Sequence, residues 1–145
     1  MINIRELRIG NYVNVRNTSG NKSVSGIVFS INDSLVSVKG NTNPYDYHLL
    51  EPIPLTEEIL LSNKFEKIKN RITFRIVPRI AYELKYKPKG CNDVCFLVFI
   101  KDNGEFNHVV PADNDKECAL IPVKSLHQLQ NLYFSLTGEE LEANL

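Results

Sequence analysis

Tryptophan is missing from this 145-residue chain, methionine occurs once, and cysteine occurs only at Cys91, Cys95 and Cys118. A sparse and odd set of thiols does not build a disulfide framework and points to a reducing cytosol. Long apolar runs are also lacking. The longest, Val94 to Ile100, has seven residues, far short of the roughly 20 that a membrane-spanning helix needs. The opening Met1-Ile2-Asn3-Ile4-Arg5-Glu6 has no basic-then-apolar layout of a secretory signal. A cytoplasmic protein that engages no membrane is therefore expected. There is no Gly-x-Gly-x-x-Gly and no Walker loop, and Gly20, Gly26 and Gly40 lie too far apart to cradle a phosphate. No cofactor is expected.

What is present is ordinary for a globular protein, with 43% apolar and 23% charged residues. A chain of this length can fold on its apolar core without a disulfide or metal staple. The net charge is zero, but it is unevenly spread. Residues 64–90 hold nine basic side chains against Glu66 and Glu83, while residues 102–145 hold eight acidic ones against Lys116 and Lys124. Such asymmetry marks either a polar partner surface or two solvated faces.

The sharpest local pattern closes the chain. Leu126, Leu129, Leu132, Tyr133 and Leu136 recur at helical spacing, so they share one face of an amphipathic helix. Ser125 suits the N-cap, Gln128 completes a capping box, and Gly138 supplies the left-handed stop.

Upstream, the first fifty residues alternate short β-like runs with turns: Ile9 to Val15, Gly26 to Ile31, Leu35 to Val38 and Tyr45 to Leu50. Strands this short, with tight turns between them, suggest a small curled barrel of the SH3-like type. Glu51-Pro52-Ile53-Pro54 makes a stiff connector, and Thr56 caps a short helix with Glu57 and Glu58 in its first turn. Beyond it, Ile72, Phe74 and Ile76 alternate with Arg71, Thr73 and Arg75, and Tyr82, Leu84 and Tyr86 alternate with Glu83, Lys85 and Lys87, the period of a half-buried strand. Val94 to Ile100 is apolar at every position and should be a central strand covered on both sides. Asp102-Asn103-Gly104 signals a hairpin, and Cys118 to Pro122 a last strand.

The expected fold class is α+β. An SH3-like lobe over residues 1–54 precedes a second lobe over 55–145, in which one C-terminal helix packs on an antiparallel sheet; the two lobes could share one core.

Three blocks now stand out: Glu6-Leu7-Arg8-Ile9-Gly10-Asn11-Tyr12-Val13, Glu51-Pro52-Ile53-Pro54-Leu55-Thr56-Glu57-Glu58, and His127 to Leu141 with its Gln128-Leu129-Gln130-Asn131-Leu132-Tyr133-Phe134 core. In this order they resemble a family of small uncharacterised proteins encoded by Bacteroides-type gut bacteria, their phages and mobile elements. The resemblance brackets nearly the whole chain and implies a phage or mobile-element setting. It carries no catalytic residues, and over 66–120 it extends only to β-rich character.

Catalytic chemistry finds little footing. His48, His108 and His127 stand in three separate contexts without a recognisable acid or nucleophile beside them. Cys91, Cys95, Cys118 and His108 are of zinc-binding type, but only Cys91 and Cys95 have ligand spacing, and Cys95 sits in an apolar strand. Neither an enzyme nor a metal site is expected. The best binding candidates are Arg71, Arg75, Lys85 and Lys87, which would share the solvent face of a hairpin opposite buried Tyr82 and Tyr86. Such a face suits phosphate oxygens, and as a solvated face it would also protect a sheet edge from aggregation.

The chain thus reads as a non-enzymatic accessory protein of a phage or mobile element that binds a protein or nucleic-acid partner. Three versions follow: a nucleic-acid-binding module, an inhibitor of a host defence enzyme, and a virion or assembly component that pairs through a sheet edge.

Overall fold

A computed structural model describes residues 1–16, 23–72, 78–86, 94–100, 103–111 and 118–145. It is α+β, with two antiparallel sheets and one main helix near the C-terminus. The chain divides into two units. The first comprises Met1–Pro54 with Ser125–Glu140, and the second Leu55–Lys124 with Leu141–Leu145.

In the first unit, β1 (Tyr12–Val15), β2 (Val24–Asn32), β3 (Leu35–Val38), β4 (Tyr45–Asp46) and β5 (Leu50–Glu51) form a sheet in the order β4-β3-β2-β1-β5. Alternation puts Val13, Val15, Val28, Val36, Val38 and Leu50 into one buried cluster with Ile2 and Leu7. The β2–β3 register shifts between Val28 and Ser30, the kind of irregularity that bends a strand. The expected strand from Tyr45 to Leu50 is split by a 3₁₀ turn, Tyr47–Leu49. Asp46 causes the split, because its carboxylate accepts the His48 amide at 3.0 Å and so competes with the strand ladder. Among the described residues no pairing joins β4 to β5, so the sheet is open.

The helix α2 (Leu126–Thr137) ends as its sequence indicates. Gly138 takes φ +73° and its amide bonds the Phe134 carbonyl at 2.8 Å. Its start differs from the capping-box expectation. Ser125 has N-cap geometry but makes no side-chain cap hydrogen bond, because its hydroxyl lies 3.0 Å from His127 Nδ1 instead. The buried stripe also differs, comprising Leu126, His127, Leu129, Gln130 and Tyr133, whereas Leu132 is half-buried and Leu136 half-exposed.

The helix was expected to lie on the C-terminal sheet; it belongs to the first unit. Two inward amides account for this. Gln130 Oε1 accepts the Tyr12 amide at 2.9 Å while its Nε2 donates to the Gly10 carbonyl at 3.1 Å. Asn131 donates to the Glu6 carbonyl at 2.6 Å and accepts from the Asn11 side chain at 2.9 Å. Asn11 in turn accepts the Arg8 amide at 2.8 Å. The turn before β1 thus finds its partners on α2, which an apolar-periodicity argument does not see.

In the second unit, α1 (Glu57–Ser62) is capped as expected by Thr56, whose hydroxyl accepts the Ile59 amide, and ends at Asn63. The sheet runs β10-β9-β8-β7-β6, built from β6 (Glu66–Ile72), β7 (Pro78–Tyr86), β8 (Val94–Ile100), β9 (Phe106–Pro111) and β10 (Cys118–Pro122). The apolar strand β8 is central, as its composition requires. The register aligns Tyr82, Val98 and His108 across three strands. Phe96 stacks on His108 with centroids 4.2 Å apart and meets Phe65 edge-on at 6.2 Å. The chain end is tied to α1, where Asn144 donates its amide to Asn63 Oδ1 at 2.9 Å. Among the described residues no helix is long and apolar enough to cross a membrane.

Candidate functional site

The four cations singled out from the sequence fare unequally. β6 and β7 do form the antiparallel hairpin, with Arg71 at the register position opposite Arg79. Lys85 is exposed near the end of β7. Arg75 and Lys87 lie outside the described residues. One expectation about this face is corrected. Ala81 and Glu83, at alternate positions with Lys85 on β7, are buried, with Glu83 only 5% exposed. The face is therefore covered at the middle of β7, and period-two alternation misled there because Tyr82 is buried on the other side as well.

The histidines and cysteines resolve into separate places. His48 Nδ1 lies 3.4 Å from Met1 Sδ at the surface, and His108 stacks on Phe96. Cys91 lies outside the described residues, and Cys95 and Cys118 are backbone positions of β8 and β10.

A serine, a histidine and a carboxylate do line up. Ser125 Oγ is 3.0 Å from His127 Nδ1, and His127 Nε2 is 3.7 Å from Glu6 Oε2. The order is the reverse of a catalytic triad, in which the nucleophile faces Nε2 and the acid Nδ1. Ser125 and His127 are also buried, at 3% and 2% exposure. Burial holds the imidazole below its ordinary pKa, a tendency that the nearby Glu6 carboxylate partly opposes. The group is a neutral latch at the helix start.

Another ionic cluster joins α1 to the second sheet. Lys67 Nζ donates to Glu57 Oε1 at 2.6 Å. The bond to Lys67 lowers the Glu57 pKa and raises that of Lys67. Burial raises the Tyr82 phenol above its usual value, and the Glu57 charge adds to the rise. A raised phenol pKa opposes use of Tyr82 as a base, so the cluster is a strut.

An open cleft of about 460 Å³ lies in the first unit, where the ends of β1 and β3 meet the starts of β2 and β4. Val15 and Val38 are buried and furnish an apolar floor. Tyr45, half-buried, packs against the core cluster and also lines the cleft. Lys39 stands at the corner of a tight turn, because the Asn41 amide closes on the Val38 carbonyl at 3.2 Å with Gly40 at φ +90°. A positive φ at the third position is the type II pattern, which favours glycine. Arg16 follows β1, with its amide bonded to the Leu49 carbonyl at 2.7 Å, and its guanidinium is ion-paired with Glu51, whose Oε1 accepts from Nε at 2.9 Å and also from Nη2. Among the described residues the lining contains these two cations and no carboxylate, although Glu51, itself outside the lining, is paired with Arg16; Ser25 and Asn41 are further polar groups. Among the described residues Lys39 has no ion-pair partner.

Arg16, Lys39 and Tyr45 are absent from the sequence-based candidates. Arg16 follows β1, Lys39 lies in the turn after β3 and Tyr45 is on β4, and the β1–β2, β2–β3 and β3–β4 pairings bring them to one cleft. The turn signal at Gly40 was legible, but what it faces was not.

In comparisons with known proteins, no family model, no curated sequence and no solved structure matches the chain.

Proposed function

We propose that this chain is a non-enzymatic accessory protein of a phage or mobile element of Bacteroides-type bacteria, acting in the host cytoplasm by binding nucleic acid. The observation that carries the reading is the cleft whose described lining holds Lys39, which has no ion-pair partner among the described residues, together with Arg16, which is paired with Glu51. Cations beside a cleft suit phosphate oxygens, and the number engaged sets how steeply binding falls with salt.

The finer reading of the fold as SH3-like is part of the proposal. Its support is the five-strand order β4-β3-β2-β1-β5, the irregularity in β2 and the 3₁₀ turn before β5. That two resemblance-bearing blocks meet, through Asn11 with Asn131 and Gly10 and Tyr12 with Gln130, supports reading the resemblance as one of fold.

An electrophoretic shift assay on single- and double-stranded DNA and RNA at about 50 and 200 mM salt tests the function. Binding that weakens steeply between the two salts is expected. The absence of salt-sensitive binding to every one of these nucleic acids would reject it.

A further inference from the structure

We infer that the cleft of the first unit is a site for an unpaired nucleotide: phosphate on Arg16 and Lys39, base against the Tyr45 ring. The inference rests on the nucleic-acid reading above and narrows it to single strands.

Size argues first. A cleft of about 460 Å³ lies in the range of small-ligand pockets and is no groove for a duplex. Proteins that read duplex DNA insert a protruding helix or ribbon into it, whereas here the polar groups line a recess. Chemistry argues second. Tyr45 packs on the core cluster and lines the recess, so its ring is held in place before any ligand arrives. A paired base, stacked within a helix, does not reach a recessed ring; an unpaired base can be splayed onto it. The charge is on the rim. Lys39 stands on a turn with Gly40 at positive φ and has no ion-pair partner among the described residues, while Arg16 is ion-paired with Glu51 and would share its guanidinium with a phosphate. Base stacking combined with backbone cations is the general solution for single-strand binding without strong sequence preference.

Fluorescence anisotropy with the full chain provides the test, using a labelled thymidine oligonucleotide and a duplex of the same length. The expected result is that the single strand binds at least about tenfold more tightly than the duplex. Lys39→Ala should lower the salt slope by about 0.7, the loss of one single-strand phosphate contact. Tyr45→Ala should weaken binding at least about fivefold with the slope unchanged, and Tyr45→Phe should retain it. Lys39→Glu, on an exposed turn, gives a second reading if Tyr45→Ala does not fold, and should reduce single-strand binding further than Lys39→Ala. Equal binding of duplex and single strand, or affinity untouched by Tyr45→Ala, or by Lys39→Glu where that variant stands in, overturns the single-nucleotide site and leaves the broader nucleic-acid reading intact. No binding of either form removes both.

Discussion

Asn11 and Asn131 hold each other across 120 positions of sequence, the Asn11 amide donating to Asn131 Oδ1 at 2.9 Å. Each is committed on its other side as well, Asn11 to the Arg8 amide and Asn131 to the Glu6 carbonyl. Beside them Gln130 serves the Gly10 carbonyl and the Tyr12 amide. Side-chain amides here do what a neighbouring strand would do for an irregular backbone, and they fix where α2 lies.

Gln130 is therefore the residue whose removal should be felt most. Gln130→Ala leaves the Gly10 carbonyl and the Tyr12 amide without their partner, at a cost of about 1–3 kcal/mol for each group that stays dry. Gln130→Glu should be at least as damaging, because a carboxylate would then face the Gly10 carbonyl. Urea denaturation of the two variants beside the parent measures this. A loss below about 0.5 kcal/mol for Gln130→Ala would show that water replaces the amide freely.

Local features of the fold were legible in the sequence. The Gly138 stop, the Thr56 cap and the central place of Val94–Ile100 each follow from one or two residues with a single physical role. The position of α2 was not legible, because Leu126 and Leu129 say only that an apolar surface is needed and not which one. The deciding residues, Gln130 and Asn131, look like solvent-facing polar positions until the Gly10 turn is seen opposite them. The candidate site failed to show for the same reason: Arg16, Lys39 and Tyr45 converge through strand pairing, which no short motif encodes. The basic strands misled in the opposite way, since alternation implies one open face along β7 where Ala81, Tyr82 and Glu83 in succession are buried.

His127 should make stability depend on mild acid. Its folded pKa lies below the ordinary value of 6.5 because the ring is buried, an effect that the Glu6 carboxylate beyond Nε2 only partly offsets. The unfolded chain therefore binds a proton that the folded chain resists. The stabilisation is complete above about pH 6.5 and is lost as the pH falls from there through the folded value, by up to about 1.4 kcal/mol per pH unit. His127→Asn retains a polar atom near the Nδ1 position and has no titration. The parent should lose stability between about pH 7 and pH 5 while the variant changes less over that step. Parallel profiles for the two proteins would assign the dependence elsewhere.

Tyr82 should act at the alkaline end. Burial first, and the Glu57 carboxylate second, raise its phenol above the ordinary 10.0. Because the folded state resists losing that proton, its contribution is full below about pH 10 and declines as the pH rises through the folded value. Tyr82→Phe keeps the ring and should cost less than about 1 kcal/mol at neutral pH, while removing one late-titrating phenol from the absorbance titration. A titration curve identical to the parent's at high pH would place the raised phenol elsewhere.

Gly26 is required for its lack of a side chain, and the reason can be isolated. A Cβ built there would stand 2.1 Å from Val38 Cγ1, a branch of a residue only 1% exposed. Gly26→Ala should cost about 1–3 kcal/mol by overpacking. Val38→Ala alone empties part of the core and also destabilises the protein. In combination the new Gly26 methyl takes space that Val38 has vacated, so the two losses should not add. A coupling of about 0.5–3 kcal/mol in favour of the double variant is expected from a denaturation cycle. Simple additivity would mean that backbone movement in β2, and not the clash with Val38, sets the cost of Gly26→Ala. Because Val38 also floors the cleft beside Tyr45, the same pair gives a second readout: restored stability with weakened single-strand binding would separate the requirements of the core from those of the site.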